Sequence, residues 1–114
     1  PNSKDLVASD REVSEIAKII EAKEIIYIEA DGRYCKLFMN DKQSYVTAKL
    51  LKDFEDYLGE TSSFIRISKS LLINSFFIKS YSKGDPFFIE LSNEVIFEIP
   101  RRKKTEILSK LIAR

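Results

Sequence analysis

The sequence contains no histidine and a single cysteine, Cys35. Histidine is the usual general base near neutral pH and the commonest metal ligand. The chain therefore lacks the residue type most often used for acid–base catalysis and for metal binding. With one cysteine, an internal disulfide and a zinc site of the Cys/His type are also excluded. A lone thiol fits a reducing compartment, and we therefore expect a cytoplasmic protein.

Long hydrophobic runs and catalytic motifs are missing as well. No stretch approaches the ~18 apolar residues of a membrane span and no signal peptide is visible, so no membrane partner is expected. The three glycines form no phosphate-binding loop, nucleophile elbow or dinucleotide fingerprint. The acidic residues show no paired-carboxylate or EF-hand spacing. We expect neither an enzyme nor a bound cofactor or metal.

The composition that is present indicates one small globular domain of 114 residues. Eight Phe and five Tyr, against three Gly and three Pro, favour strands joined by short turns. The net charge is +1, but residues 1–65 carry 9 basic and 13 acidic side chains and residues 66–114 carry 10 and 5. The basic second half is compatible with an anionic partner, although chance also produces an imbalance of this size.

Hydrophobic spacing predicts a mainly β chain with two clear helices. Strand patterns occupy residues 25–28, 34–39, 43–47, 64–74 with a polar break at 68–70, 76–81, 87–91 and 95–99. Apolar residues at helical spacing predict helices over about 48–58 and about 101–112. Residues 13–22 show a weaker helical pattern. Leu6, Val7 and Ala8 form a short candidate strand.

Three cationic groups are candidates for binding an anion. The break at 68–70 presents Lys69 between two apolar runs, which suits a firmly held contact residue. Four cations, Arg101 to Lys104, open the last predicted helix, where the helix dipole disfavours positive charge. Arg33, Tyr34 and Lys36 follow a turn-like Asp-Gly pair. Each group also has an ordinary explanation, as a solvated turn, a basic patch near a terminus, or a strand surface.

Two other functions remain open from the residues alone. A protein-interaction or dimerisation module would use strand edges and the aromatics Phe76, Phe77, Phe87 and Phe88. A single-strand binder would stack bases on surface aromatics. Cys35 could be a reactive thiol between two cations, but its place in the alternation of its strand favours packing in the core.

Three separated segments resemble the LytTR family of DNA-binding output domains. Residues 25–34 (IIYIEADGRY) resemble its first signature, a strand followed by a turn with an aromatic. Residues 64–74 (FIRISKSLLIN) resemble the central signature, usually Phe-x-Arg-x-His-Arg-Ser-x-x-x-Asn. Residues 99–103 (IPRRK) resemble the last one, usually Ser-Arg-Arg after a strand. Order and spacing agree over about residues 13–112.

The resemblance implies a mainly β fold of stacked short antiparallel sheets, with residues 1–12 as an N-terminal segment or linker and 13–114 as the domain. It also implies an extended segment at 13–22 instead of a helix. The expected partner is double-stranded promoter DNA, bound with a second copy on repeated half-sites. In this family a receiver domain often precedes the DNA-binding domain, although other arrangements occur. Because the sequence begins at Pro1 without a Met, we expect a piece of a longer protein, and the resemblance implies that this protein is a bacterial response regulator of a two-component system.

By position, the resemblance assigns DNA contacts to the three cationic groups (Arg33, Tyr34 and Lys36; Ser68 and Lys69; Arg101, Arg102 and Lys103). Ser68 and Lys69 replace the usual His and Arg, and Pro100 replaces the usual Ser. Lysine lacks the guanidinium fork that reads guanine with two bonds, so Lys69 is expected mainly on phosphate. Base reading would then shift toward Arg33 and Arg101. A member of the family that has lost DNA binding is the alternative.

Overall fold

A computed structural model describes Val7–Ala8 and residues 22–58, 63–82 and 84–113. The opposing expectations for residues 13–22, helical or extended, lie outside the described residues. The strands are β1 (Val7–Ala8), β2 (Ile25–Asp31), β3 (Tyr34–Met39), β4 (Ser44–Thr47), β5 (Phe64–Ser68), β6 (Leu71–Asn74), β7 (Ile78–Tyr81), β8 (Phe87–Leu91) and β9 (Ile96–Ile99). The α-helices of the described residues are α1 (Leu51–Leu58) and α2 (Lys104–Ala113).

The strands form two sheets. Sheet A has the order β1-β4-β3-β2-β6-β5, antiparallel except for the parallel β1–β4 pair, and sheet B has the antiparallel order β7-β8-β9. The prediction of a mainly β domain with short antiparallel sheets is confirmed. In the part of the chain that the structure describes, no helix is long and apolar enough to cross a membrane.

Sheet A is covered on both faces, and this explains why β2 begins with four buried residues instead of alternating. On one face, Ile28 and Leu72 join a cluster with Leu51, Phe54 and Leu58 of α1. On the other, the apolar side chains of sheet B and α2 form a second cluster that includes Tyr27 and Ile73. The molecule therefore has three layers, with α1 below sheet A and with sheet B and α2 above it.

Most predicted elements are observed. Strand β2 runs on to Asp31 instead of ending at residue 28, β4 and β9 each begin one residue late, and three other boundaries move for local reasons. Helix α1 begins at Leu51 instead of about residue 48, because Asp53 Oδ2 accepts the Leu50 amide at 3.1 Å and caps the helix there. Strand β7 begins at Ile78 instead of residue 76, because 75–77 form a 3₁₀ turn. The predicted C-terminal helix starts as the 3₁₀ segment Arg101–Lys103 and becomes α-helical at Lys104.

Two of the four aromatics predicted for a docking surface are buried. Phe77 is 8% exposed and Phe87 is 2% exposed, and both belong to the core beneath sheet B. Phe87 points inward because strand alternation puts it on the same face as Ile89 and Leu91. Phe76 and Phe88 are exposed, at 75% and 39%. Of the four aromatics named for docking, Phe76 and Phe88 are therefore accessible and Phe77 and Phe87 are not.

Candidate nucleic-acid interface

The β2–β3 turn, hereafter the first turn, presents Arg33 to solvent. Gly32 adopts φ 63°, a left-handed conformation that residues with a Cβ adopt at a cost. Arg33 is exposed and has no hydrogen-bonded or ionic partner among the described residues. Tyr34 follows it and is 47% exposed. The first turn therefore offers an exposed guanidinium beside an accessible phenol ring.

Lys36 lies farther along β3 and is less available than Arg33. It is half-buried and stands opposite Glu29 of β2. Its Nζ lies 5.5 Å from the centre of the Phe38 ring, within the range of a cation–π interaction. Lys36 therefore belongs to the sheet surface behind the first turn.

The β5–β6 turn, hereafter the second turn, comprises residues 68–70. The Ser68 hydroxyl accepts a hydrogen bond from the Ser70 amide at 3.2 Å, which closes the turn locally. Lys69 at its tip is exposed, and its ammonium has no ionic partner in the described residues. The Ser68 hydroxyl is thus engaged in shaping the turn, whereas the Lys69 ammonium is free to meet an external anion.

The two turns lie side by side at one end of sheet A. Strands β2 and β6 are antiparallel, with Glu29 opposite Leu71. Ala30, which follows Glu29, therefore faces Ser70, which precedes Leu71. The Ala30 amide donates to the Ser70 carbonyl at 2.8 Å and joins the turns directly. Arg33 and Lys69, which are 36 positions apart in the sequence, are thereby presented from neighbouring turns.

The third predicted group, Arg101–Lys103, belongs to the upper layer and follows β9. Arg101 Nη2 donates to Asp85 Oδ2 at 2.8 Å, in a pair whose side chains are 82% and 63% exposed. Lys104 Nζ donates to the Gly84 carbonyl at 3.1 Å. Arg102 and Lys103 have no ionic partner within the described ranges. Glu106, one turn into the helix, pairs with Lys110 at 3.4 Å instead of with this basic segment.

Strand β9, which precedes this basic segment, packs over sheet A. The β8–β9 turn and the β3–β4 turn line one cleft, through residues such as Asn93 and Asn40. Farther along β9, the centre of the Phe97 ring lies 5.1 Å from that of Tyr27, with the two rings nearly perpendicular. The first turn lies at the opposite end of the β3 hairpin from the β3–β4 turn.

Two side chains of the central signature, Arg66 and Asn74, have a structural role that the sequence did not predict. Arg66 Nε and Nη2 donate to the carbonyls of Ser68 and Lys69 at 2.7 and 2.9 Å, and Nη1 meets Glu55 Oε1 at 2.6 Å. Asn74 is 1% exposed and bonds to the Ile25 carbonyl, the Phe76 amide and the Ser63 hydroxyl. The signal in each case is a polar residue within, or at the end of, an apolar run.

Cys35 is buried in the cluster beneath sheet A, as its strand position predicted. Burial raises the pKa of its thiol to about 11, with a smaller opposing effect of Arg66. Such a thiol stays protonated and unreactive near neutral pH. Within the described ranges, no cluster of three or more His, Cys, Asp and Glu side chains is arranged to hold a metal ion.

Exposed cations held on short turns of a layered β scaffold are chemically suited to contacts with a phosphate backbone. Comparison with known proteins gives the family. The LytTr DNA-binding domain family matches residues 15–112, and the chain belongs to this family. The resemblance found in the sequence is thereby confirmed. No curated protein matches the chain.

The fold is also similar to a solved structure. That structure is the LytTr DNA-binding domain of a protein described as a methyl-accepting/DNA response regulator from Bacillus cereus. The TM-score is 0.65 at 20% identity, over 80% of this chain and 83% of that one. At this identity the similarity concerns the fold. It supports the layered β architecture independently of the sequence motifs.

Proposed function

We propose that this domain binds duplex promoter DNA in a sequence-specific manner, as the output domain of a bacterial transcriptional regulator of the two-component type. The observation that carries the proposal is the adjacency of the two cationic turns, joined by the Ala30–Ser70 hydrogen bond at 2.8 Å. Family membership supplies DNA as the partner. What is proposed beyond this is the set of residues that contact DNA and their ability to distinguish one DNA sequence from another.

The three cationic groups are given different tasks by their chemistry. Lys69 is a compact point charge on a constrained turn and suits a phosphate oxygen. Arg33 and Arg102 carry guanidinium forks without an intramolecular ionic partner in the described residues, so they suit bidentate reading of guanine. Arg101 must first exchange its bond to Asp85 for DNA. Ser68, Tyr34, Lys36 and Lys103 would contribute flanking contacts.

A second copy on a repeated half-site and an N-terminal receiver domain complete the proposed regulator. A single small domain with three contact groups covers little DNA, and two copies on one site would multiply both affinity and specificity. The receiver would control how the copies are brought together. Such a regulator would act in the cytoplasm.

Selection of bound sequences from a random duplex pool tests the proposal. The expected result is enrichment of one motif at low salt, present twice at a fixed spacing, with binding that weakens steeply as salt increases. Enrichment without a motif would contradict sequence specificity. A single half-site would contradict binding as two copies. Undetectable binding at low salt would contradict the function itself.

A protein-interaction module is the second candidate, supported by the exposed apolar side chains Phe76, Phe88 and Ile96, with exposures of 75%, 39% and 57%. It predicts a stable complex with a protein whose affinity is unchanged by substitution of Lys69 or Arg102. A single-strand binder, in turn, would prefer single-stranded over duplex competitor DNA.

A further inference from the structure

Arg66 occupies an unusual place for a cation, in the middle of an apolar strand of sheet A. Its side chain is 25% exposed, and its neighbours Ile65 and Ile67 are core residues. Burying most of a guanidinium is costly unless its donors are satisfied. Three of its nitrogens are satisfied, by the carbonyls of Ser68 and Lys69 and by the Glu55 carboxylate.

The geometry of these contacts is specific to arginine. The two carbonyls belong to Ser68 and Lys69, which are consecutive residues of the second turn. The carboxylate belongs to Glu55 of helix α1. A planar fork with several fixed donors can reach all three acceptors at once, whereas a lysine ammonium on a flexible stem cannot span them. The pairing of β5 with β6 is shifted between Arg66 and Ser68, and Arg66 bonds across this irregularity.

We propose that Arg66 is a positioning residue of the DNA interface, which holds the second turn, and through the Ala30–Ser70 bond also the first turn, in the conformation that meets DNA. Arg66 does not itself contact DNA, because its donors are directed to the turn carbonyls and to Glu55. Glu55 fixes the guanidinium from the α1 side. The effect of Arg66 on DNA binding rests on the proposed function, whereas its effect on the conformation of the second turn can be tested without DNA.

The first experiment measures amide hydrogen exchange in the free domain by NMR. The variant Arg66→Met keeps the apolar stem and removes every donor. The Ala30 amide, which bonds to Ser70, should then exchange about tenfold faster, while core amides of sheet B keep their protection. Lys52→Met is the matched control, because it breaks an exposed Lys52–Asp56 pair on α1 and leaves the turn untouched. Unchanged Ala30 exchange in Arg66→Met would overturn the hold on the turn.

The second experiment is a double-mutant cycle on a duplex selected by the unsubstituted domain. Arg66→Met should weaken binding about tenfold alone but only about threefold in a Lys69→Ala background, because the part of its effect that passes through Lys69 is then already lost and the part that passes through the first turn remains. In that background the salt dependence should not change further. An equal loss in both backgrounds, or a further decrease of about one in the salt slope, would show independent action or direct phosphate contact and overturn the proposal.

Thermal unfolding followed by circular dichroism shows whether Arg66→Met is folded. If it is not, two milder variants test the role of Arg66. Arg66→Lys and Glu55→Gln should each give an intermediate loss of affinity and intermediate Ala30 exchange. Wild-type affinity in both would overturn the proposal. If the unsubstituted domain binds no duplex, the proposed function and the DNA role of Arg66 both fail, whereas faster Ala30 exchange would still support the hold on the turn.

Discussion

The Ala30 amide donates to the Ser70 carbonyl at 2.8 Å, and this bond ties the first turn of the sheet to the second. Because β2 lies between β3 and β6, it shares its end with both neighbouring hairpins. A rigid sheet end holds two cations, Arg33 and Lys69, in a fixed relative position without a recognition helix.

Removal of the Lys69 ammonium should weaken DNA binding broadly. We expect Lys69→Ala to reduce affinity for preferred and unrelated duplexes by similar factors and to lower the salt slope by about one, because a phosphate contact carries no sequence information. Fluorescence anisotropy titrations at several salt concentrations measure both quantities. Lys52→Ala, on the exposed side of α1, is the control that removes an equal charge elsewhere. A loss confined to the preferred sequence would instead identify Lys69 as a base-reading residue.

Neutralising Asp85 should strengthen DNA binding. Asp85→Asn releases Arg101 from its 2.8 Å ion pair and removes a negative charge beside the basic segment. An exposed pair contributes only about 0–1 kcal/mol, so affinity should rise about two- to fivefold at low salt while thermal stability changes little. Glu106→Gln, which breaks the pair with Lys110 on α2, provides the matched loss of charge. Equal gains from both variants would indicate a general charge effect and not release of Arg101.

Alanine at Gly32 should destabilise the protein more than alanine at Gly84. An added Cβ meets no atom within 4 Å at either position, so crowding does not distinguish them. Gly32 has φ 63°, where a Cβ costs about 1–2 kcal/mol, whereas Gly84 is not in the left-handed region. Urea unfolding should show this loss for Gly32→Ala and less than about 0.5 kcal/mol for Gly84→Ala. Similar values for the two variants would mean that the first turn relaxes without strain.

Asn74→Ala should be among the most destabilising polar substitutions. The side chain is buried and joins β6 to the Ile25 carbonyl at 2.9 Å and to the Phe76 amide at 3.0 Å. Leaving these groups without partners should cost about 2–4 kcal/mol in the free energy of unfolding. Asn93→Ala, which removes an exposed bond to the Val95 amide, should cost less than about 1 kcal/mol. Denaturant titration compares the two, and equal costs would refute a structural role for Asn74.

The buried thiol of Cys35 should make stability fall in alkaline solution. Burial raises its pKa to about 11 in the folded state, from the ordinary value of 9.0. Between these values the unfolded chain loses the thiol proton and the folded chain keeps it, so stability decreases as pH rises from about 9 to about 11. The slope from this group is at most about 1.4 kcal/mol per pH unit. Cys35→Ala should reduce the difference between urea unfolding at pH 8 and pH 10; an unchanged difference would exclude Cys35 as its source.

Much of the scaffold could be predicted because local patterns and tertiary burial agree. Strands β3 and β8 have the predicted bounds, since buried side chains alternate strictly with exposed or half-buried ones along each of them. The prediction failed where side-chain bonds end an element. Asp53 delays the start of α1, and Asn74 converts residues 75–77 into a 3₁₀ turn before β7. Such bonds depend on geometry that hydrophobic periodicity does not report.

The sequence by itself determined the family, the mainly β class and the three cationic groups, because motifs, alternation and charge are local properties of the chain. The tertiary structure decided which cations are free and which are engaged. It pairs Arg101 with Asp85, places Lys36 over Phe38, and leaves the Lys69 ammonium without an ionic partner among the described residues. It also assigns Arg66 to the second turn. Some of these contacts join neighbours in the sequence, but Arg101 meets Asp85 across 16 positions and Arg66 meets Glu55 across 11, and only the packing of the elements brings those pairs within hydrogen-bonding distance.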